Sequence, residues 1–296
     1  MMNLGMTVLS KPFGMGVFRV NVGGDWEISS FGFSRGGGVV ALSDIEFGER
    51  FIVKWEPGRT VDVDRSIESM AKRLKTIEVR KSGSASVRGH KCGRFEIQEE
   101  DAHGMGGIWH CDASELNFLA YYRSQNRRDA EETLSALLQN FKCHWKGEYD
   151  FWTLLNLEFK TPKGFAVSRL ELRVGESRAL LKGGRKVFVL YRWHFPEKID
   201  VKEVECKVRE AEKMVGRKLI EEWTCEMDVR GFHVASRGLK YYVRDVLLRK
   251  KEGECRVYFW KDLSIGRAFA LLVVYPPGED ITAFTSKFWE SVRVLT

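Results

Sequence analysis

Apolar residues at Val63, Ile67, Met70, Ala71 and Leu74 recur at helical spacing and predict one buried face of a helix beginning at Asp62. Ala130, Leu134, Leu137, Leu138 and Phe141 repeat that spacing behind Asp129, Glu131 and Glu132, whose carboxylates suit the positive end of a helix dipole. Two further stripes follow: Val201, Val204, Val208, Ala211 and Val215, then Ile281, Phe284, Phe288 and Trp289. Between them lie short runs rich in β-branched and aromatic residues, punctuated by glycine, which predict strands joined by hairpins. The runs 186–193 (KVFVLYRW) and 268–275 (AFALLVVY) are apolar at consecutive positions, as central strands covered on both faces would be.

The order of these elements occurs twice. Phe51–Trp55 (FIVKW) leads through a proline into the helix at Asp62, and Val189–Trp193 (VLYRW) leads through a proline into a helix at Asp200, an offset of 138. Gly89-His90 matches Gly231-Phe232 at 142, IWHCD (108–112) matches YFWKD (258–262) at 150, and NFLAYY (117–122) matches AFALLV (268–273) at 151. Offsets that grow in steps place insertions in loops. Each copy closes with a helix and a short strand, residues 127–139 then FKCH and 279–290 then SVRVL. The expected architecture is α+β: two tandem repeats, 1–148 and 149–296, each an antiparallel sheet flanked by helices.

Thr161-Pro162-Lys163-Gly164-Phe165 opens the second repeat's sheet, and Gly23-Gly24-Asp25-Trp26 stands at the weaker counterpart in the first. With the closing SVRVL (291–295) and QNFKC (139–143), this order resembles the Mog1/PsbP-like superfamily, as a tandem duplication spanning nearly the whole chain. The resemblance implies an antiparallel sheet between helices. It implies no single activity, because members of that superfamily bind proteins of different kinds and a fold alone does not choose among them.

Composition is that of a globular chain, 44% hydrophobic and 30% charged. The longest strongly apolar run, Ala268 to Tyr275, falls short of the ~20 residues a membrane-spanning helix needs. A cytoplasmic protein is the expectation, since residues 1–16 lack a basic cluster followed by an apolar stretch. Three glutamines and six asparagines beside abundant Lys, Arg and Glu suggest a thermophile. Charge separates the repeats: residues 1–148 carry 20 Lys+Arg against 20 Asp+Glu, so the whole net charge of +7 belongs to the second repeat. Alternation places Arg169 and Arg173, with Glu171, on one face of a strand, and Lys240, Tyr242 and Arg244 on another. These five residues are the candidate basic face. The partner it implies is an acidic protein or other polyanion, nucleic acid included.

Other chemistry is weakly signalled. Six cysteines stand singly, and three have histidine neighbours: His90 with Cys92, His110 with Cys111, Cys143 with His144. Adjacent residues on a strand face opposite ways, so only His90 and Cys92 are expected to share a face, and no metal or other cofactor is expected. Gly36–Gly38 and Gly104, Gly106 and Gly107 lack the context of a phosphate cradle and suit hairpin turns. No serine lies in GxSxG and no carboxylate pair stands out, so no catalytic residue is assigned. The chain reads as a non-enzymatic binding or scaffolding module. The rival is an enzyme or small-ligand protein using the cleft between repeats.

Overall fold

A computed structural model describes residues 8–34, 36–44, 48–73, 78–199, 218–229, 232–244, 250–276 and 278–295. The chain forms two compact units, 1–147 and 148–296.

The first unit opens with a hairpin, β1 (Leu9–Gly14) and β2 (Arg19–Gly23). Seven strands follow: β3 (Glu27–Ser34), β4 (Gly37–Asp44), β5 (Gly48–Pro57), β6 (Glu78–Val87), β7 (His90–Gln98), β8 (His103–Cys111) and β9 (Leu116–Ser124). They make one antiparallel sheet in the order β3-β4-β5-β9-β8-β7-β6. Helix α1 (Val63–Arg73) lies between β5 and β6, and α2 (Arg127–Asn140) follows β9. Asp62 starts α1 by accepting the Arg65 N–H, and Asn126 starts α2 by accepting those of Arg128 and Asp129, as N-caps do. Ile67 of α1 packs with Phe95, Ile97 and Ile108 on one face of the sheet. Phe141, which ends α2, packs on Trp109 and Phe118 of the other.

The second unit repeats this order. Its hairpin is β10 (Tyr149–Leu154) and β11 (Leu157–Pro162). Its sheet comprises β12 (Ala166–Leu172), β13 (Glu176–Gly183), β14 (Lys186–Trp193), β15 (Lys218–Val229), β16 (Phe232–Arg244), β17 (Lys250–Asp262) and β18 (Arg267–Tyr275). The order is β12-β13-β14-β18-β17-β16-β15, strand for strand that of the first sheet. Helix α3 (Thr282–Ser291) then leads into β19 (Arg293–Val294), which pairs with β11. Its counterpart in the first unit is a single bridge between Lys142 and Arg19. The runs 186–193 and 268–275 are adjacent strands at the middle of this sheet, as their unbroken apolarity requires. The stripe at Val201–Val215 lies outside the described residues.

Strand registers correct two of the sequence offsets. Phe51 pairs with Tyr122 and Phe188 with Val273, which equates Phe51 with Phe188 at an offset of 137 rather than 138. Matching Trp55 to Trp193 had drawn the alignment one residue off, and in a strand one residue exchanges the faces. Trp55 meets Phe18 and Phe33, while Trp193 stacks on Tyr191, whose face packs with Ile199. Likewise Trp109 pairs with Phe118 and Trp260 with Phe269, so β8 and β17 are offset by 151 rather than 150. Both tryptophans are buried and stack on the paired phenylalanine, 5.3 and 5.4 Å between centroids.

Gly104, Gly106 and Gly107 lie inside β8 and not in a hairpin turn. A side chain on Gly106 would run into the Phe95 ring, and one on Gly104 into that of Tyr121. Glycine here lets aromatic rings lie across the strand. Gly36, at φ +77°, does occupy the turn between β3 and β4.

Candidate functional site

Of the five residues of the expected basic face, Arg169 lies on β12 and Arg173 just beyond its end. Both reach Glu171, Arg173 Nη2 at 3.3 Å, and Arg178 of β13 donates to both Glu171 oxygens at 2.9 Å. The Arg178 bonds, with the other two guanidiniums nearby, hold the Glu171 carboxyl below the ordinary glutamate value. One carboxylate thus serves three guanidiniums. Arg169 and Arg173 remain 59% and 71% exposed. Past them the chain turns through Val174, which is fully exposed.

Lys240, Tyr242 and Arg244 lie on β16, five strands across the sheet, roughly 24 Å at ~4.8 Å per strand. The structure therefore does not bring the two halves of the expected face together. The backbone register sets Lys240 between Glu221 and Glu254, and Tyr242 beside Glu252. The side chains of these three residues are outside what is described.

The first unit holds a constellation that the sequence reading set aside. Val87 and His90 close a two-residue turn in which Arg88 (φ +51°) and Gly89 (φ +87°) both take the left-handed conformation that such hairpins demand. His90 is thereby the first residue of β7. Cys92 pairs with Trp109, and two steps along the same ladder set His90 opposite Cys111, the last residue of β8. Beyond α2 the chain makes its single bridge at Lys142 and bends, bringing Cys143 and His144 to the same corner.

One donor atom from each of His90, Cys111, Cys143 and His144 lies within 4.8 Å of every other. His144 Nδ1 is 3.4 Å from His90 Nε2, 3.3 Å from Cys111 Sγ and 3.4 Å from Cys143 Sγ. Both thiols are fully buried and both imidazoles half-buried. Burial, with Cys111 beside it, pushes the Cys143 thiol up to about 12, against an opposing pull from the Trp109 indole. Burial, with His90 and Arg88 nearby, holds the His144 imidazole below its ordinary value.

Strand alternation, which would keep these donors apart, breaks down at this corner for a physical reason. It holds for His110 and Cys111 on β8, since His110 turns away to Asn117 (2.8 Å). Cys143 and His144 follow an isolated bridge, not a pleated strand, and so converge. Cys92, expected to share a face with His90, is buried outside the group, its thiol pushed up to about 12 by burial. The missed signal was positional: these histidines and cysteines sit at element ends that the repeat topology gathers at one end of the sheet.

A groove of about 790 Å³ adjoins this corner, between α1 and the β6–β7 hairpin, lined by Asp62, Asp64, Lys81, His90, His110 and Asp112 among others. Among the described residues, no helix is long and apolar enough to cross a membrane.

No family model matches the chain, and no curated protein matches it. Solved structures do. PsbP of the cyanobacterium Synechocystis sp. PCC 6803 is 11% identical and covers 52% of this chain and 97% of its own, at a TM-score of 0.34. The Ran-binding protein Mog1p of Saccharomyces cerevisiae is 9% identical, covering 47% and 90%, at 0.31. TplEi, a T6SS immunity protein of Pseudomonas aeruginosa solved with an "L" peptide, is 10% identical and covers 97% and 99%, at 0.32. The chain is similar in fold to PsbP and Mog1 over about half its length, and these likenesses bear on fold alone.

Proposed function

We propose that the chain is a non-enzymatic recognition module whose second unit binds an acidic segment of another protein at the β12 edge. The observation that carries this reading is the sharing of Glu171 by Arg169, Arg173 and Arg178, which leaves a surplus of positive charge at the β12 end of the sheet. Val174, fully exposed, directly follows Arg173, while Leu172 projects from the opposite face of β12. Arginine forks beside one exposed apolar residue fit a segment carrying carboxylates and an apolar side chain. Recognition would run through side chains rather than strand addition, because the β12 ladder breaks its register between Val167 and Arg169.

The test compares wild type with Arg169→Glu/Arg173→Glu, measuring anisotropy of a labelled oligo-glutamate peptide and a single-stranded oligonucleotide of equal charge. Reversing two charges should weaken the peptide by about tenfold or more, equivalent to at least ~1.4 kcal/mol. Equal binding by both proteins, or none by wild type, would end this reading. A preference for the oligonucleotide would favour nucleic acid instead.

A second reading, a small-ligand site, draws on the groove beside α1, where imidazoles, carboxylates and Lys81 converge. It places the ligand inside the first unit. Ligand-induced shifts confined to residues 60–64 and 81–93 in an NMR screen would support it.

A further inference from the structure

We infer that His90, Cys111, Cys143 and His144 form a zinc site in the first unit. This inference is independent of the β12 reading. Tetrahedral zinc takes nitrogen at ~2.0–2.1 Å and thiolate sulfur at ~2.3 Å, so its donors stand about 3.4 Å apart for two nitrogens and about 3.6 Å for nitrogen and sulfur. His144 Nδ1 meets the first value with His90 at 3.4 Å, and approaches the second with Cys111 at 3.3 Å and Cys143 at 3.4 Å. The two rings meet edge to face at 76°, their centroids 5.3 Å apart.

Two surrounding groups point the same way. Asp112 places a carboxylate oxygen 3.7 Å from His90 Nδ1, leaving Nε2 on the side of the sulfurs. A carboxylate hydrogen-bonded behind a ligating imidazole orients the ring and raises its basicity, and Asp112 stands just outside that distance. Trp109 is completely buried, and its indole N–H is turned to the Cys143 sulfur. A thiolate is a far better acceptor for that N–H than a thiol.

Two thiols and two imidazoles whose donor atoms lie within 4.8 Å of one another are a donor set for zinc rather than for magnesium or calcium. Because four protein donors fill the coordination shell, the site is structural and leaves no position for a reacting water. On binding, two S–H bonds ionise, the protons pass to solvent, and two Zn–S and two Zn–N bonds form. Nothing is oxidised or reduced. The ion would pin the β6–β7 turn, the end of β8 and the exit from α2 together, closing loops of 21 to 54 residues.

The test uses full-length reduced protein desalted after exposure to zinc, with metal measured by elemental analysis and cobalt substituted in parallel. The expected result is about one zinc per chain, and a cobalt form with strong tetrahedral visible bands and a thiolate charge-transfer band. Cys111→Ser/Cys143→Ser should lose both signals, while Cys92→Ser keeps them. Should the double variant not fold, His90→Ala at the half-exposed rim is read in its place, and should lose the tetrahedral spectrum. Substoichiometric zinc, pale octahedral cobalt, or unchanged stoichiometry in the ligand variants would overturn the assignment. So would a Cys111–Cys143 disulfide in freshly isolated protein.

Discussion

The corner that gathers His90, Cys111, Cys143 and His144 in the first unit has an exact topological counterpart in the second. Val87 pairs with His90 as Val229 pairs with Phe232; Cys111 ends its hairpin as Asp262 does; Lys142 bridges Arg19 as Arg293 pairs with Glu158. The four donor positions therefore correspond to Phe232, Asp262, Val294 and Leu295. Three of the four are apolar and half-buried, so the second unit can close this corner by burying hydrocarbon. It also extends its last segment into a two-residue strand, where the first, among the described residues, makes one bridge. One fold thus closes the same corner in two ways, with polar donors that call for an ion and with side chains that need none.

Chelation should separate the two corners most sharply. Removing the ion takes away the attraction that offsets two buried thiols and two imidazoles, and structural zinc sites are strongly coupled to folding. Amide exchange at residues 87–92, 109–112 and 141–145 should accelerate by about a hundredfold or more with EDTA, while residues 232–234, 258–262 and 292–295 stay unchanged. Equal acceleration at both corners, or none, would erase the contrast.

A second contrast lies along β8 and β17. Gly106 stands between Phe95 and Tyr121, and its counterpart Val257 stands between Arg237 and Leu272. In the first unit the volume comes from neighbouring rings and the central position is bare; in the second the central residue fills its own space. Gly106→Val, which imitates the second unit, should destabilise the first by roughly 3 kcal/mol or more, because the new side chain displaces the buried Phe95 ring. Adding Phe95→Leu should recover a measurable part in a denaturation cycle. Additive costs would mean that the two positions do not share one space.

Much of this architecture was legible in the sequence because its signals are periodic. The stripe Ala130–Phe141, the apolar runs 186–193 and 268–275, and the doubled order of elements each rest on several residues that agree. Register was less legible. A conspicuous tryptophan at 55 and another at 193 invited a match one residue off, and nothing local in a strand penalises that slip. The metal corner was hidden more deeply, since its four donors span 55 positions and meet only through hairpin registry and a bend after α2. Alternation is a rule for pleated strands, and Cys143-His144 is not in one. The positive charge of the second repeat was legible as composition, but composition could not show that Glu171 is shared or that β16 lies far from β12.

The smallest contrast concerns one position in the opening hairpins. Val22 pairs with Lys11 and Thr161 with Asp150, which makes Lys11 and Asp150 counterparts of opposite charge. Each bonds the turn before an aromatic anchor: Lys11 Nζ donates to the Trp26 carbonyl at 3.2 Å, and Asp150 Oδ2 accepts the Gly164 N–H at 3.3 Å ahead of Phe165. Burial pushes both toward neutrality, raising Asp150 from 3.8 to about 6 and lowering Lys11 from 10.5. The signs then mirror each other. Asp150 binds its proton more readily in the folded state, so its penalty is full above about pH 6 and relaxes as pH falls toward 3.8. Lys11 releases its proton more readily when folded, so its penalty is full below the lowered value and relaxes as pH rises toward 10.5. Asp150→Asn keeps an acceptor for Gly164 and removes the charge. It should raise the melting temperature of the second unit by about 1–3 °C at pH 7 and by nothing near pH 4. Lys11→Gln should change the first unit most at neutral pH and least near pH 10. A gain from Asp150→Asn that persists undiminished to pH 4 would show that the position responds to shape and not to charge.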